Sequence, residues 1–190
     1  SKQRTQAKCS SGSISANPLS RLSHLAQGKV MEHLDVIIVG AGISGISAAV
    51  HLGKACPERS VGILERRENI GGTWDLFKYP GIRSDSDMHT LGFSFKPWRA
   101  EKSIADGPAI MQYLDETVDE YRLQESIRFS HKVVAAEWCS ADARWVLTVD
   151  QGEVQKQMSS NFLFMCSGYY SYDQPYDAQI PGIESFSGDV

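Results

Sequence analysis

The clearest pattern in the chain is a short, unbroken apolar run at residues 36–39, Val-Ile-Ile-Val, followed at once by glycines. Four β-branched residues with no polar alternation predict a central parallel strand buried on both faces. Beyond the glycines, residues 46–52 (Ile-Ser-Ala-Ala-Val-His-Leu) are mostly small and apolar, which predicts a helix able to lie close on a sheet. Cys56-Pro57-Glu58 ends that helix, and residues 61–65 predict a second strand closing on an acid, Glu65. Strand, glycine turn, helix and strand in this order make a βαβ unit.

Regular patterning then lapses. Residues 66–106 show little periodicity but many special residues: Gly71-Gly72, Trp74, Tyr79-Pro80-Gly81, the acids Asp85 and Asp87, and Pro97-Trp98. An irregular stretch of this length inside a domain is usually functional. Gly107-Pro108 opens a predicted helix with Ile110, Met111, Leu114, Val118 and Tyr121 on its inner face. Three strand-like runs follow at 127–138, 144–150 and 161–166, with turns near Asp142-Ala143 and Gln151-Gly152-Glu153. They predict a small antiparallel β unit that returns to the main sheet through residues 162–166. The fold class expected is α/β: a Rossmann-like dinucleotide-binding domain with a parallel sheet and an antiparallel β insertion.

Composition changes this picture little, and charge somewhat more. The chain has 190 residues, 42% of them hydrophobic, enough for one domain with a real core. Residues 1–31 hold Lys2, Arg4, Lys8, Arg21 and Lys29 and no acid, so the rest carries a net charge of about −9. That acidic body argues against nucleic-acid binding. Residues 1–30, rich in serine and poor in large apolar side chains, are expected to be a disordered basic leader. A transit peptide and an upstream extension both fit it, and Met31 reads as a natural start that favours the extension. No apolar run reaches the roughly 20 residues of a membrane span, which leaves peripheral membrane association open. Cys9, Cys56, Cys139 and Cys166 are scattered without metal or disulfide spacing, in keeping with a reducing, cytoplasmic setting. The histidines show no metal-binding spacing either, so no metal is assigned.

The candidate chemistry lies in Gly40-Ala41-Gly42-Ile43-Ser44-Gly45. The first glycine permits the tight turn, the second lets a pyrophosphate approach the backbone, and the third allows close helix–strand packing. The helix that follows would point free N–H groups and its positive end at phosphates. Glu65, about 20 residues further on, suits the two hydroxyls of an adenosine ribose. An acid there also disfavours a 2′-phosphate, so FAD or NAD fits better than NADP. The alternative is a plain glycine turn between strand and helix, but the strand before it, the helix after it and the acid beyond together favour the dinucleotide.

Residues 71–85 are more specific. A glycine pair is followed by Trp74, then by Tyr79-Pro80-Gly81, then by Asp85 four residues later. This spacing resembles the sequence signature of type I Baeyer–Villiger monooxygenases, and the likeness covers about residues 31–190. It implies a flavoprotein that uses FAD, NADPH and O2 to convert ketones to esters or lactones, and that oxidises sulfur in some substrates. It further implies that Gly40, Gly42, Ser44 and Gly45 hold the FAD pyrophosphate and Glu65 the ribose. Thr73, Trp74 and Leu76 would line the flavin, and the backbone of Val133 would meet the adenine end. Arg83, Ser84 and Asp85 would sit near the flavin and nicotinamide, with Asp85 positioning a catalytic arginine found much further along such chains. Cys166-Ser167-Gly168 resembles a second FAD-contacting turn.

Phe186-Ser187-Gly188 matches the start of the family's other signature, FxGxxxHxxxWP, whose histidine and tryptophan lie beyond Val190. The expectation is therefore an FAD-binding domain over residues 31–190, with the NADPH-binding domain absent and the isolated chain inactive. A flavin-containing monooxygenase acting on nitrogen or sulfur and a non-catalytic FAD-binding fragment are the alternatives.

Overall fold

The computed structural model describes residues 31–170 and 179–188; the predicted leader at 1–30 lies outside the described residues. The chain begins with β1 (Glu32–Val39), α1 (Ile43–Ala55) and β2 (Val61–Leu64). Two one-turn helices follow, α2 (Thr73–Leu76) and α3 (Met88–Leu91), and then the longer α4 (Gly107–Glu120). The remaining strands are β3 (Ile127–Arg128), β4 (Lys132–Cys139), β5 (Arg144–Gln151) and β6 (Val154–Met165). They form one six-stranded sheet in the order β3-β2-β1-β6-β5-β4.

The apolar run at 36–39 is the middle of this sheet. β1 pairs parallel with β2 on one side and with β6 on the other. Val36, Ile37 and Ile38 are buried, as an unalternating run requires. Val36 and Ile38 pack with Ile46 of α1 and with Ile110, Leu114 and Val118 of α4. Ile37 on the opposite face joins Leu64, Leu147, Val149 and Met158, so the antiparallel strands cover the side that the helices leave bare. Each fully buried isoleucine or leucine contributes about 1.5–3 kcal/mol relative to exposure.

β6 is the hinge of the topology. Its first half is antiparallel to β5 and its second half parallel to β1. The antiparallel insertion therefore returns to the main sheet as predicted, although β6 starts at Val154, seven residues before the predicted run. The run at 127–138 is two strands rather than one. Ser130 turns with φ +54 between β3 and β4, which frees β4 to leave β2 and pair with β5.

The irregular stretch is anchored by aromatic packing on α4. Asp106 caps that helix by accepting from the Ala109 amide at 3.0 Å. The Tyr113 hydroxyl accepts from Phe93 N–H at 2.8 Å and donates to the Lys96 carbonyl. Phe93 and Phe95 stack at 4.8 Å, and Trp98 donates to the Lys102 carbonyl at 2.9 Å. Burial pushes the Tyr113 phenol above its usual pKa.

Candidate functional site

A cleft of about 580 Å³ opens at the carboxyl ends of β1, β2 and β6. The chain passes from β1 to β2 on one side and later returns to β1 on the other side as β6. The strand order reverses there, and open α/β sheets bind ligands at such a switch point.

The glycine loop forms the floor. Gly40 has φ +105, a conformation that side chains disfavour, and a Cβ there would stand 2.5 Å from the Cys166 carbonyl oxygen. A Cβ on Gly45 would stand 1.9 Å from the Gly40 carbonyl oxygen. These two glycines are demanded by the protein's own packing. Gly42 is different. Its φ of −79 suits any residue, and a Cβ there would meet only the Gly72 Cα, at 3.8 Å. Gly42 is the N-cap of α1, no side chain caps that end, and no acid occupies the first turn. The N-terminal amides of α1 and its positive dipole end thus lie at the cleft.

One wall is the second glycine turn, Gly71-Gly72, with Thr73 and Trp74. The Gly71 amide donates to the Ala41 carbonyl at 2.9 Å, joining the two turns. At the end of β2, Glu65 is only 6% exposed. Its Oε2 accepts from Ala41 N–H at 2.8 Å and its Oε1 from Arg67 N–H at 3.0 Å. Each carboxylate oxygen keeps a further lone pair for another donor.

His131, Lys132 and Val133 at the start of β4 form the far wall. Lys156 Nζ lies 2.8 Å from His131 Nε2, and His131 Nδ1 lies 2.6 Å from the Phe129 carbonyl. An ammonium only donates and a carbonyl only accepts, so these contacts assign the neutral Nδ1–H tautomer. The Cys166-Ser167-Gly168 turn closes the remaining side, with the Cys166 amide bonded to the Val39 carbonyl at 2.9 Å. Burial raises the pKa of the Cys166 thiol, which disfavours the reactive thiolate.

Ten of the sequence-predicted residues line this cleft: Gly40, Gly42, Ser44, Glu65, Thr73, Trp74, Val133 and the Cys166-Ser167-Gly168 turn. Gly45 packs against the Gly40 carbonyl, and Leu76 is half-buried at the end of α2. Arg83, Ser84 and Asp85 do not line it. The backbone of Arg83 forms an isolated antiparallel β-bridge with that of Asp106, and buried Ser84 donates to the Ser86 carbonyl at 2.6 Å. Asp85 is exposed. Sequence reasoning missed Arg67, Asp75 and Lys132. Arg67 reads as one more charge in Arg66-Arg67-Glu68, and only the fold shows that it reaches back to the second turn.

A second cleft, of about 460 Å³, lies beside α4 and is lined by Lys96, Trp98 and Tyr113 among others. It has no glycine turn at its wall, and Lys96 there is paired with Glu120 at 2.5 Å.

Residues 38–117 match the family model of an NAD(P)-binding Rossmann-like domain. The chain is 58% identical over 159 residues to the FAD-containing monooxygenase EthA of Mycolicibacterium smegmatis, a match covering 84% of the chain and 32% of the relative. It is 51% identical to a probable FAD-binding monooxygenase, AlmA, of Acinetobacter baylyi, over 83% of the chain and 32% of the relative. Among solved structures, it is 26% identical to the cyclohexanone monooxygenase of Rhodococcus sp. Phi1 bound to NADP+. That likeness has a TM-score of 0.67 and covers 84% of the chain and 30% of the neighbour. The chain thus spans about a third of the length of the curated relatives it matches. Over that span, the chain belongs to the FAD-containing monooxygenase family that includes the Baeyer–Villiger enzymes.

Proposed function

We propose that the cleft binds FAD and that the chain is the FAD-binding portion of an NADPH- and O2-dependent monooxygenase. The observation that carries this reading is Gly42. Gly40 and Gly45 answer to collisions within the protein, whereas a Cβ on Gly42 would project into space that the protein leaves open. A glycine there is required only if something outside the chain must approach the backbone. The bare amides at the start of α1 make that something an anion, as a pyrophosphate is.

In this reading Gly40, Gly42 and Ser44 hold the pyrophosphate, with Gly45 keeping α1 close behind them. Glu65, held in place by two backbone amides, accepts from the ribose hydroxyls. Thr73 and Trp74 line the flavin, Leu76 supports that wall from α2, and the backbone of Val133 meets the adenine end. Arg83, Ser84 and Asp85 lie on the loop after the second glycine turn. By family resemblance they serve the nicotinamide side, and Asp85 positions an arginine supplied from elsewhere. Bound flavin, reduced by NADPH, supplies the oxygen chemistry; the protein binds it, orients it and excludes water. The substrates we assign are small ketones or sulfur compounds. Among the described residues no helix is long and apolar enough to cross a membrane, and three cysteines are free. The free cysteines favour the cytoplasmic setting we assign.

Titrating the full chain with FAD, followed by flavin fluorescence and anisotropy, tests the reading. Saturable binding is expected, and a folded chain that binds no FAD overturns it. Gly42→Ala should weaken binding about tenfold or more while moving the unfolding midpoint little, because the cost falls on the ligand and not on the fold.

A further inference from the structure

Four hydrogen bonds close a circuit around the base of the cleft. Ala41 N–H donates to Glu65 Oε2 at 2.8 Å, and Arg67 N–H donates to Glu65 Oε1 at 3.0 Å. Arg67 Nη1 donates to the Gly72 carbonyl at 3.0 Å, and Gly71 N–H donates to the Ala41 carbonyl at 2.9 Å. The circuit joins three segments: the first glycine turn, the end of β2 and the second glycine turn.

Glu65 and Arg67 both reach between segments through flexible side chains; Glu65 is fixed by two backbone amides, so it is the Arg67 guanidinium that must still be held. Asp75 does this. Its carboxylate pairs with Arg67 Nη2, and its side chain is only 9% exposed. Lys78 approaches the other Asp75 oxygen at 3.5 Å but is itself 73% exposed. The Arg67 carbonyl accepts from Ser130 N–H at 3.0 Å, which ties the same residue to the turn before β4. A planar fork can bond a carbonyl and a carboxylate at once, which a single ammonium does poorly.

We propose that Arg67 and Asp75 form a positioning clamp for the flavin site. The clamp fixes the distance between Glu65, which faces the ribose end, and the Thr73-Trp74 wall, which faces the flavin end. Arg67 itself lines the cleft, whereas Asp75 lies off its lining and acts only through Arg67. This inference rests on the FAD reading above. It goes beyond that reading by assigning the spacing of the two ends to an ion pair outside the glycine signature. A ligand that spans both ends binds well only if they are already at the right separation.

The experiment uses the full chain carrying Arg67→Ala, Arg67→Lys, Asp75→Asn or the Arg67→Ala/Asp75→Asn pair. Each is assayed at a temperature where circular dichroism shows it folded. For Arg67→Ala, the FAD dissociation constant should rise about tenfold or more, as expected for loss of a charge-assisted bond. At saturating FAD, the bound flavin should also be more fluorescent and less anisotropic, since Trp74 would no longer be held beside it. Arg67→Lys should recover part of the affinity. The double variant should lose less than the sum of the single losses.

Unchanged affinity and flavin emission in folded Arg67→Ala overturns the clamp, as do additive losses in the double variant. If the unsubstituted chain binds no FAD, the FAD reading fails, and amide exchange decides on the clamp alone. Faster exchange at Ala41 and Gly71 in Arg67→Ala then supports the circuit, and unchanged exchange overturns it.

Discussion

The two glycine turns that meet at the cleft are built by different means. The first, at Gly40 to Gly45, is set by its neighbours in sequence: a buried strand enters it and a helix leaves it. Its collisions are with backbone, the Gly40 and Cys166 carbonyl oxygens. The second, at Gly71-Gly72, has no strand before it and only a single helical turn after it. It is held from a distance, by Ala41, by Arg67 and by Met111 of α4. A turn fixed by rigid backbone tolerates no side chain, whereas one fixed by side chains can adjust.

That contrast can be broken by substitution. Gly45→Ala should be the most damaging change. Its Cβ would overlap the Gly40 carbonyl at 1.9 Å, and neither backbone can move without parting α1 from β1. A loss of about 3 kcal/mol or more is expected in urea unfolding, at the upper end for overpacking. Gly40→Ala should follow at about 2–3 kcal/mol, combining a left-handed φ with a 2.5 Å approach to the Cys166 carbonyl oxygen. A loss under about 0.5 kcal/mol for either, the level of an ordinary surface change, would show that the first turn is not rigid.

Gly71→Ala should cost less, about 1–2 kcal/mol, although its nearest approach is also short. The colliding atom is Met111 Sδ at 2.3 Å, the far end of a flexible side chain that can swing away. The contrast is sharpest between Gly71→Ala and Gly45→Ala in the same assay; equal losses would erase it. Gly81→Ala should cost about 1 kcal/mol, because Gly81 has φ +84 but nothing within 4 Å, which leaves conformational strain alone.

The smallest effect is expected at the opposite end of the βαβ unit. The backbone amide of Ser60 is the main cause, with its hydroxyl and Arg59, of lowering the Asp35 pKa from 3.8 to about 2. A carboxylate more acidic in the folded chain stabilises it above the unfolded value and loses that contribution as pH falls through the folded one. Stability should therefore decline between about pH 4 and pH 2, and Asp35→Asn should flatten that part of the profile. An unaltered acid limb in the Asn variant would remove Asp35 from the account. The glycine variants should show the same acid limb as the unsubstituted chain.

The sequence alone determined the βαβ entrance. An unalternating β-branched run can be satisfied only between two neighbouring strands, and β1 lies between β2 and β6. It also determined the identity of the cleft's floor, because Gly40, Gly42, Ser44 and Glu65 are read from short-range spacing and periodicity. Tertiary structure decided the rest. It split the run at 127–138 into β3 and β4 at Ser130, whose positive φ leaves no mark on the hydrophobic pattern. It left Arg83, Ser84 and Asp85 off the cleft lining, although they share one signature with Trp74, which is on it. It also turned Arg67 and Asp75 from two surface-like charges into a largely buried pair between the glycine turns. Periodicity records which face of an element is apolar. A guanidinium reaching from one loop to another has no period, so only the folded chain reveals it.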